Sequence, residues 1–159
     1  MNVFISGSIK IQKLPLAAIQ KIESIILKGY TILIGDAYGA DYLVQKYLFD
    51  NKYYNVIIYF AGEKIRNNIG NWEKKAVENT MNKKGRDLYT IKDIEMAKDA
   101  DCGLMIWDGK SKGTLNNIIE MKKANKRFYV VLNGNIIEDK NIDEILDNIK
   151  IKQPELEIA

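Results

Sequence analysis

The chain has 159 residues, 47% hydrophobic and 28% charged, the dimensions of one globular domain with a core of its own. It has no histidine and one cysteine, Cys102, which excludes the usual zinc constellations, His-based triads and any internal disulfide. The net charge of +3 divides into +7 over residues 1–137 and −4 over residues 138–159, which points to an anionic ligand near the main body, without the basic stripe that would argue for nucleic acid.

"NVFIS" (residues 2–6) predicts a first buried strand, entered without the basic and apolar regions of a signal peptide. A helix follows in "LPLAAIQKIESIILKG", with Leu16, Ile19, Ile22 and Ile26 on one face and Gly29 as its stop. "YTILI" (30–34) is a second strand, "ADYLVQKYLFDN" a second helix and "NVIIYF" (55–60) a third strand. Residues 61–90 lack regular patterning and are long for a connection, as in a functional lid or a disordered loop. Beyond them come a helix in "IKDIEMAKDA", a strand in "CGLMIW" (102–107), a helix in "TLNNIIEMKKAN", a strand in "RFYVVL" (127–132) and a terminal helix in "NIDEILDNIKI". Within "CGLMIW", Cys102 reads as a small buried hydrophobe.

Continuous apolar strands alternating with helices predict a three-layer, Rossmann-like α/β fold: a mostly parallel sheet of about five strands with helices on both faces. The expected division is one domain over 1–150 and a loose tail over 151–159. No stretch approaches the ~20 apolar residues of a membrane span, so a cytoplasmic protein without a membrane partner is expected.

In such sheets ligands bind beyond the carboxyl ends of the strands. Three glycine-containing loops fall there. "SGS" offers Ser6, Gly7 and Ser8; "GDAYGAD" offers Gly35, Asp36, Gly39 and Asp41; "WDGKSKGT" offers Gly109, Ser111, Gly113 and Thr114, with Lys110 and Lys112 adding charge before a helix start near Thr114. The spacing is neither that of a Walker A loop nor G-x-G-x-x-G. Plain turn, capping and surface roles fit many of these residues equally well, Asp41 as a helix cap among them.

"GDAYGAD", "KDIEMAKDAD" (92–101) and "WDGKSKGT", in that order, resemble the SLOG superfamily, the Rossmann-like group of LOG phosphoribohydrolases and DprA-type proteins. The resemblance spans about residues 2–132 and is nearest to small bacterial and phage proteins with "GGARGAD" and "WDG.S.GT" motifs. It implies that Gly7, Ser8, Gly35, Gly39, Gly113 and Thr114 line a nucleotide pocket, with Ser111 against the phosphate, and that the protein is a homodimer. Two positions depart from the hydrolase pattern G-T-x-x-E: Asn117 stands where the catalytic glutamate would be, and Lys92 stands for an arginine. Arg66 or Arg86 could supply a guanidinium, and Trp72 or Tyr38 could stack on a base or simply pack.

The expectation is therefore a domain that binds a nucleotide or nucleotide-derived small molecule, adenosine- or NAD-related, as a sensor or sequestering protein, with no metal and no cofactor. The alternative is a nucleotide N-glycosidase or sugar-phosphate transferase using Glu120, Asp36 or Asp41 as its acid. Whether the chain is an enzyme stays open, and nucleic acid ranks last as a partner.

Overall fold

The computed structural model describes residues 1–79 and 82–152. In chain order the elements are β1 (Asn2–Gly7), α1 (Leu16–Leu27), β2 (Thr31–Gly35), α2 (Ala40–Asp50), β3 (Val56–Ala61), β4 (Glu73–Val77), α3 (Arg86–Asp99), β5 (Cys102–Trp107), α4 (Lys112–Lys123), β6 (Arg127–Leu132), β7 (Asn135–Glu138), a 3-10 turn (Asp139–Asn141) and α5 (Ile142–Lys152). The seven strands form one sheet in the order β4-β3-β2-β1-β5-β6-β7, parallel throughout except for the antiparallel β6–β7 pair.

This is the expected Rossmann-like α/β fold, with two strands more than the sequence reading. β4 reads "EKKAV" and is almost wholly exposed at the sheet edge, so it lacks the apolar run that marks the central strands. β7 is a four-residue hairpin partner of β6, joined through Asn133 and Gly134 at φ of 51° and 79°. An Asn-Gly pair with both residues at positive φ is the mark of a tight hairpin turn.

The central strands are buried because helices cover both faces. Ala18 and Ile22 of α1 and Val44 and Leu48 of α2 pack with Val3, Ile5, Ile32 and Ile34 on one face. Met96 of α3, Leu115 and Ile118 of α4, and Ile142 and Leu146 of α5 pack with Phe4, Leu33 and Met105 on the other. The buried side of α1 departs from expectation: Leu16 is 69% exposed, and Leu14 and Ala18 take the inward role. α4 begins at Lys112 rather than near Thr114, and α3 at Arg86 rather than Ile91. Cys102 is half-buried, not fully enclosed, and burial pushes its thiol pKa up, which disfavours the thiolate form. The tail from residue 153 and the side chain of Arg86 lie outside the described residues and side chains.

Candidate functional site

Because β1 lies between β2 and β5, the chain leaves its first strand toward one side of the sheet and returns on the other. The loops after β1, β2 and β5 therefore meet at one edge, at the point where strand order reverses. Their approach is close. A Cβ on Gly7 would sit 2.4 Å from the Ala40 Cβ and 2.8 Å from the Ile106 carbonyl oxygen. A Cβ on Gly39 would fall 2.1 Å from the Ile9 carbonyl oxygen, and Gly39 has φ of 74°. The Ala40 amide donates to the Ser8 carbonyl at 3.2 Å, so the start of α2 is fastened to the loop after β1.

The hydroxyl residues converge here and bind one another. The Ser8 and Thr114 hydroxyls lie 3.3 Å apart, and Ser111 Oγ is 3.2 Å from Thr114 Oγ1. Ser111 is the N-cap of α4, accepting from the Thr114 amide at 3.4 Å. Asn117 donates to Ser6 Oγ at 2.6 Å. Asp108 accepts from the Lys110 and Ser111 amides, both at 2.8 Å, and fixes the loop after β5. Burial raises its carboxyl, but those amides and the Ser8 hydroxyl outweigh it and hold the pKa low.

A charged cluster adjoins this network. Asp36 is fully buried and accepts from Arg66 twice, from its backbone amide and its guanidinium, each at 2.8 Å. Lys92, 3% exposed, lies 3.6 Å from Asp36 and 3.8 Å from Asp93. The Arg66 guanidinium rests 3.9 Å over the Tyr89 ring. Gln45 completes the scaffold: it donates to the Gly35 and Asn67 carbonyls and accepts from the Ile69 amide. The first part of the irregular 61–90 stretch is thus a loop held by Asp36 and Gln45 through Arg66, Asn67 and Ile69.

Burial pushes Asp36 up, yet the Arg66 hydrogen bonds and the Lys92 charge outweigh it and hold the carboxyl below its ordinary range. Asp41 behaves oppositely. Burial dominates, with Asp93 and Asp36 adding repulsion against the Lys92 charge, and its pKa is pushed up to about 7. Burial raises Asp93 as well.

An acid whose pKa rises on folding takes up a proton as it folds, so its contribution weakens with rising pH between the unfolded and folded values. For Asp41 that window runs from its ordinary 3.8 to about 7. Urea unfolding between pH 5 and pH 8 is expected to show stability declining toward neutrality, and Asp41→Asn to flatten the decline in part, with Asp93 supplying the remainder. An unchanged slope in the variant would contradict the assignment.

The sequence-named residues thus fall into two joined groups. Ser6, Ser8, Ser111, Thr114 and Asn117 form the hydroxyl network; Asp36, Arg66 and Lys92 form the ionic one, with Asp41 and Gly35 against Lys92. Gly109, at φ of 80°, turns the loop after β5, and Gly113 lies inside the first turn of α4 with open space around it. Glu120, Asp93 and Asn117 line a cleft of about 200 Å³ between α3 and α4. Trp72 is packing, not a stacking surface: it is 6% exposed and its indole donates to the Tyr53 carbonyl at 2.9 Å. Tyr38 is 61% exposed and stacks on Tyr42 with centroids 6.3 Å apart.

Sequence reasoning found Lys110 and Lys112 at this edge but missed the lysines that the other loops bring to it. Lys10, Lys64, Lys83, Lys84 and Lys110 are exposed in the loops that follow β1, β3, β4 and β5, and Lys112 at the first position of α4; together they outnumber the exposed Glu63, Glu78 and Asp87 of the same segments. No two-loop stretch of sequence carries this excess; the sheet topology collects it. Among the described residues no group of acids or Cys could hold a metal ion, and no helix is long and apolar enough to cross a membrane.

No family model and no curated protein matches the chain. Among solved structures it is similar to DNA processing protein A from Helicobacter pylori, with a TM-score of 0.65 at 16% identity, covering 93% of this chain and 72% of that one. That protein is described as having a unique single-stranded DNA binding mode. The likeness shows a shared Rossmann-like fold. It also corrects two expectations, a small nucleotide or nucleotide-derived ligand and nucleic acid as an improbable partner, because the neighbour on this fold binds single-stranded DNA. In the local geometry Arg66 and Lys92 both pair with Asp36.

Proposed function

We propose that this protein binds single-stranded nucleic acid along the carboxyl edge of its sheet, as a domain of the DprA-like type within the SLOG group. The observation that carries the reading is the exposed lysine set contributed by the segments that follow β1, β3, β4 and β5, the last of them reaching the first residue of α4. Lysines in this arrangement follow a phosphate backbone rather than enclose one phosphate. The positive end of the α4 dipole, capped by Ser111, favours the same backbone. The fold likeness to a single-stranded DNA-binding protein supports the choice of strand over duplex. The homodimer and the narrower "WDG.S.GT" subgroup belong to this proposal too.

The experiment is fluorescence anisotropy with a labelled oligothymidylate and a matched duplex over a series of salt concentrations. The single strand is expected to bind more tightly, with log affinity falling linearly as log salt rises. Replacing both Lys110 and Lys112 by Gln should reduce the steepness by about 1.4, since each lost phosphate contact on a single strand accounts for about 0.7. A salt-independent affinity, or preference for the duplex, would overturn the reading.

A further inference from the structure

One helix carries an exposed aromatic ridge that the basic edge does not account for. Tyr38 precedes α2 and stacks on Tyr42 in its first turn; Lys46 and Phe49 follow at spacings of four and three residues, on the same helical face. Tyr38, Tyr42 and Phe49 are 61%, 37% and 52% exposed, and the Lys46 side chain 58%. From Tyr42 to Phe49 the helix rises about 10 Å, so the aromatic rings stand about one to two nucleotide spacings apart. The ridge ends at a cleft of about 350 Å³ walled by Phe49, Asp50, Lys52, Tyr53, Tyr54 and Trp72. Tyr54 is 76% exposed there.

The polar atoms of the cleft's inner wall are already occupied: the Trp72 indole donates to the Tyr53 carbonyl, and the Tyr53 hydroxyl donates to the Tyr30 carbonyl. What remains for an occupant is aromatic surface beside Lys52, with the Asp50 carboxylate at the rim facing Lys46. Lys46 pairs with Asp50 at 3.9 Å and in solvent, a contact that leaves its charge accessible.

We propose that α2 is a track for the same single strand: the strand leaves the basic edge at Tyr38, stacks bases on Tyr42 and Phe49, and places one base in the Phe49–Tyr54 cleft, with Lys46 and Lys52 beside its phosphates. This rests on the proposed function and deepens it. Single-stranded nucleic acid is the occupant because aromatic faces interleaved with lysines, continuous with a basic edge, match its alternation of bases and phosphates. Stacking without base-edge hydrogen bonds makes the track tolerant of sequence.

The test compares oligothymidylates of four and twelve nucleotides, and a twelve-nucleotide strand with abasic sites at its interior positions. Wild-type protein is expected to bind the twelve-mer more tightly than the four-mer. The triple variant Tyr42→Ala, Phe49→Ala, Tyr54→Ala should lose about tenfold in twelve-mer affinity for each stacked base while binding the four-mer as before. The abasic strand should reproduce that loss on wild-type protein, independently of any effect of the substitutions on folding. If wild-type protein binds the twelve-mer and neither the variant nor the abasic strand weakens it, the track is wrong and the edge reading stands. If wild-type protein binds neither oligonucleotide, the proposed function itself fails and the track with it.

Discussion

Replacing Gly39 by alanine is expected to destabilise the protein by about 3 kcal/mol or more. Two causes act together. The backbone at Gly39 has φ of 74° and ψ of −128°, a region that side-chain-bearing residues rarely enter. The added methyl would also meet the Ile9 carbonyl oxygen, its carbon and the Ile9 Cα at 2.1 to 2.5 Å, all of them backbone atoms. Relief requires the loop after β1 to separate from the start of α2, which breaks the Ala40–Ser8 hydrogen bond. In thermal unfolding the midpoint should fall by roughly 6–12 °C for a chain of this size. Because the same two loops border the basic edge, oligonucleotide affinity should fall in whatever fraction stays folded. Gly113→Ala is the control: nothing lies within 4 Å of its added methyl and the position is helical, so stability should hold or rise by less than about 1 kcal/mol.

Asp36→Ala should cost about 3–5 kcal/mol, the usual penalty for breaking a buried ion pair from one side. It strips the nearest carboxylate from Lys92, which is 3% exposed and is left with Asp93 at 3.8 Å and the Asp41 carboxyl beside it, whose pKa burial pushes up to about 7. It also frees Arg66, whose backbone and guanidinium both donate to Asp36, and with it the loop across residues 62–72. The attribution is checked by a double-mutant cycle. Lys92→Met in the Asp36→Ala background removes the stranded charge and should recover a substantial part of the loss, whereas independent effects would add. Urea unfolding of the four proteins at one pH measures the coupling. Full additivity would mean that Lys92 and Asp36 do not depend on each other.

The central strands were legible because each is a continuous run of apolar residues, the pattern that burial on both faces imposes. β4 was not, since an exposed edge strand has no need of apolar side chains and "EKKAV" could be any surface segment. β7 could have been found, because Asn133-Gly134 after an apolar run is a hairpin signal in its own right. At the site, the glycines and hydroxyls of "SGS", "GDAYGAD" and "WDGKSKGT" were placed correctly at one edge by their position after strands. What sequence could not supply was how the charges are shared. Lys92 and Arg66 look available for a ligand until Asp36 is seen buried between them. Conversely, the lysines that face solvent are scattered over about a hundred residues and become a patch only when the sheet order is known.

The measurement that bears most directly on the account is amide chemical-shift mapping of the 18.2 kDa protein titrated with an eight-nucleotide oligothymidylate. The shifts are expected at Ser8 to Lys10, Tyr38 to Asp41 and Lys110 to Thr114, with smaller ones along α2. Shifts confined to β7 and α5, at the far side of the sheet, or no shifts at all, would contradict it.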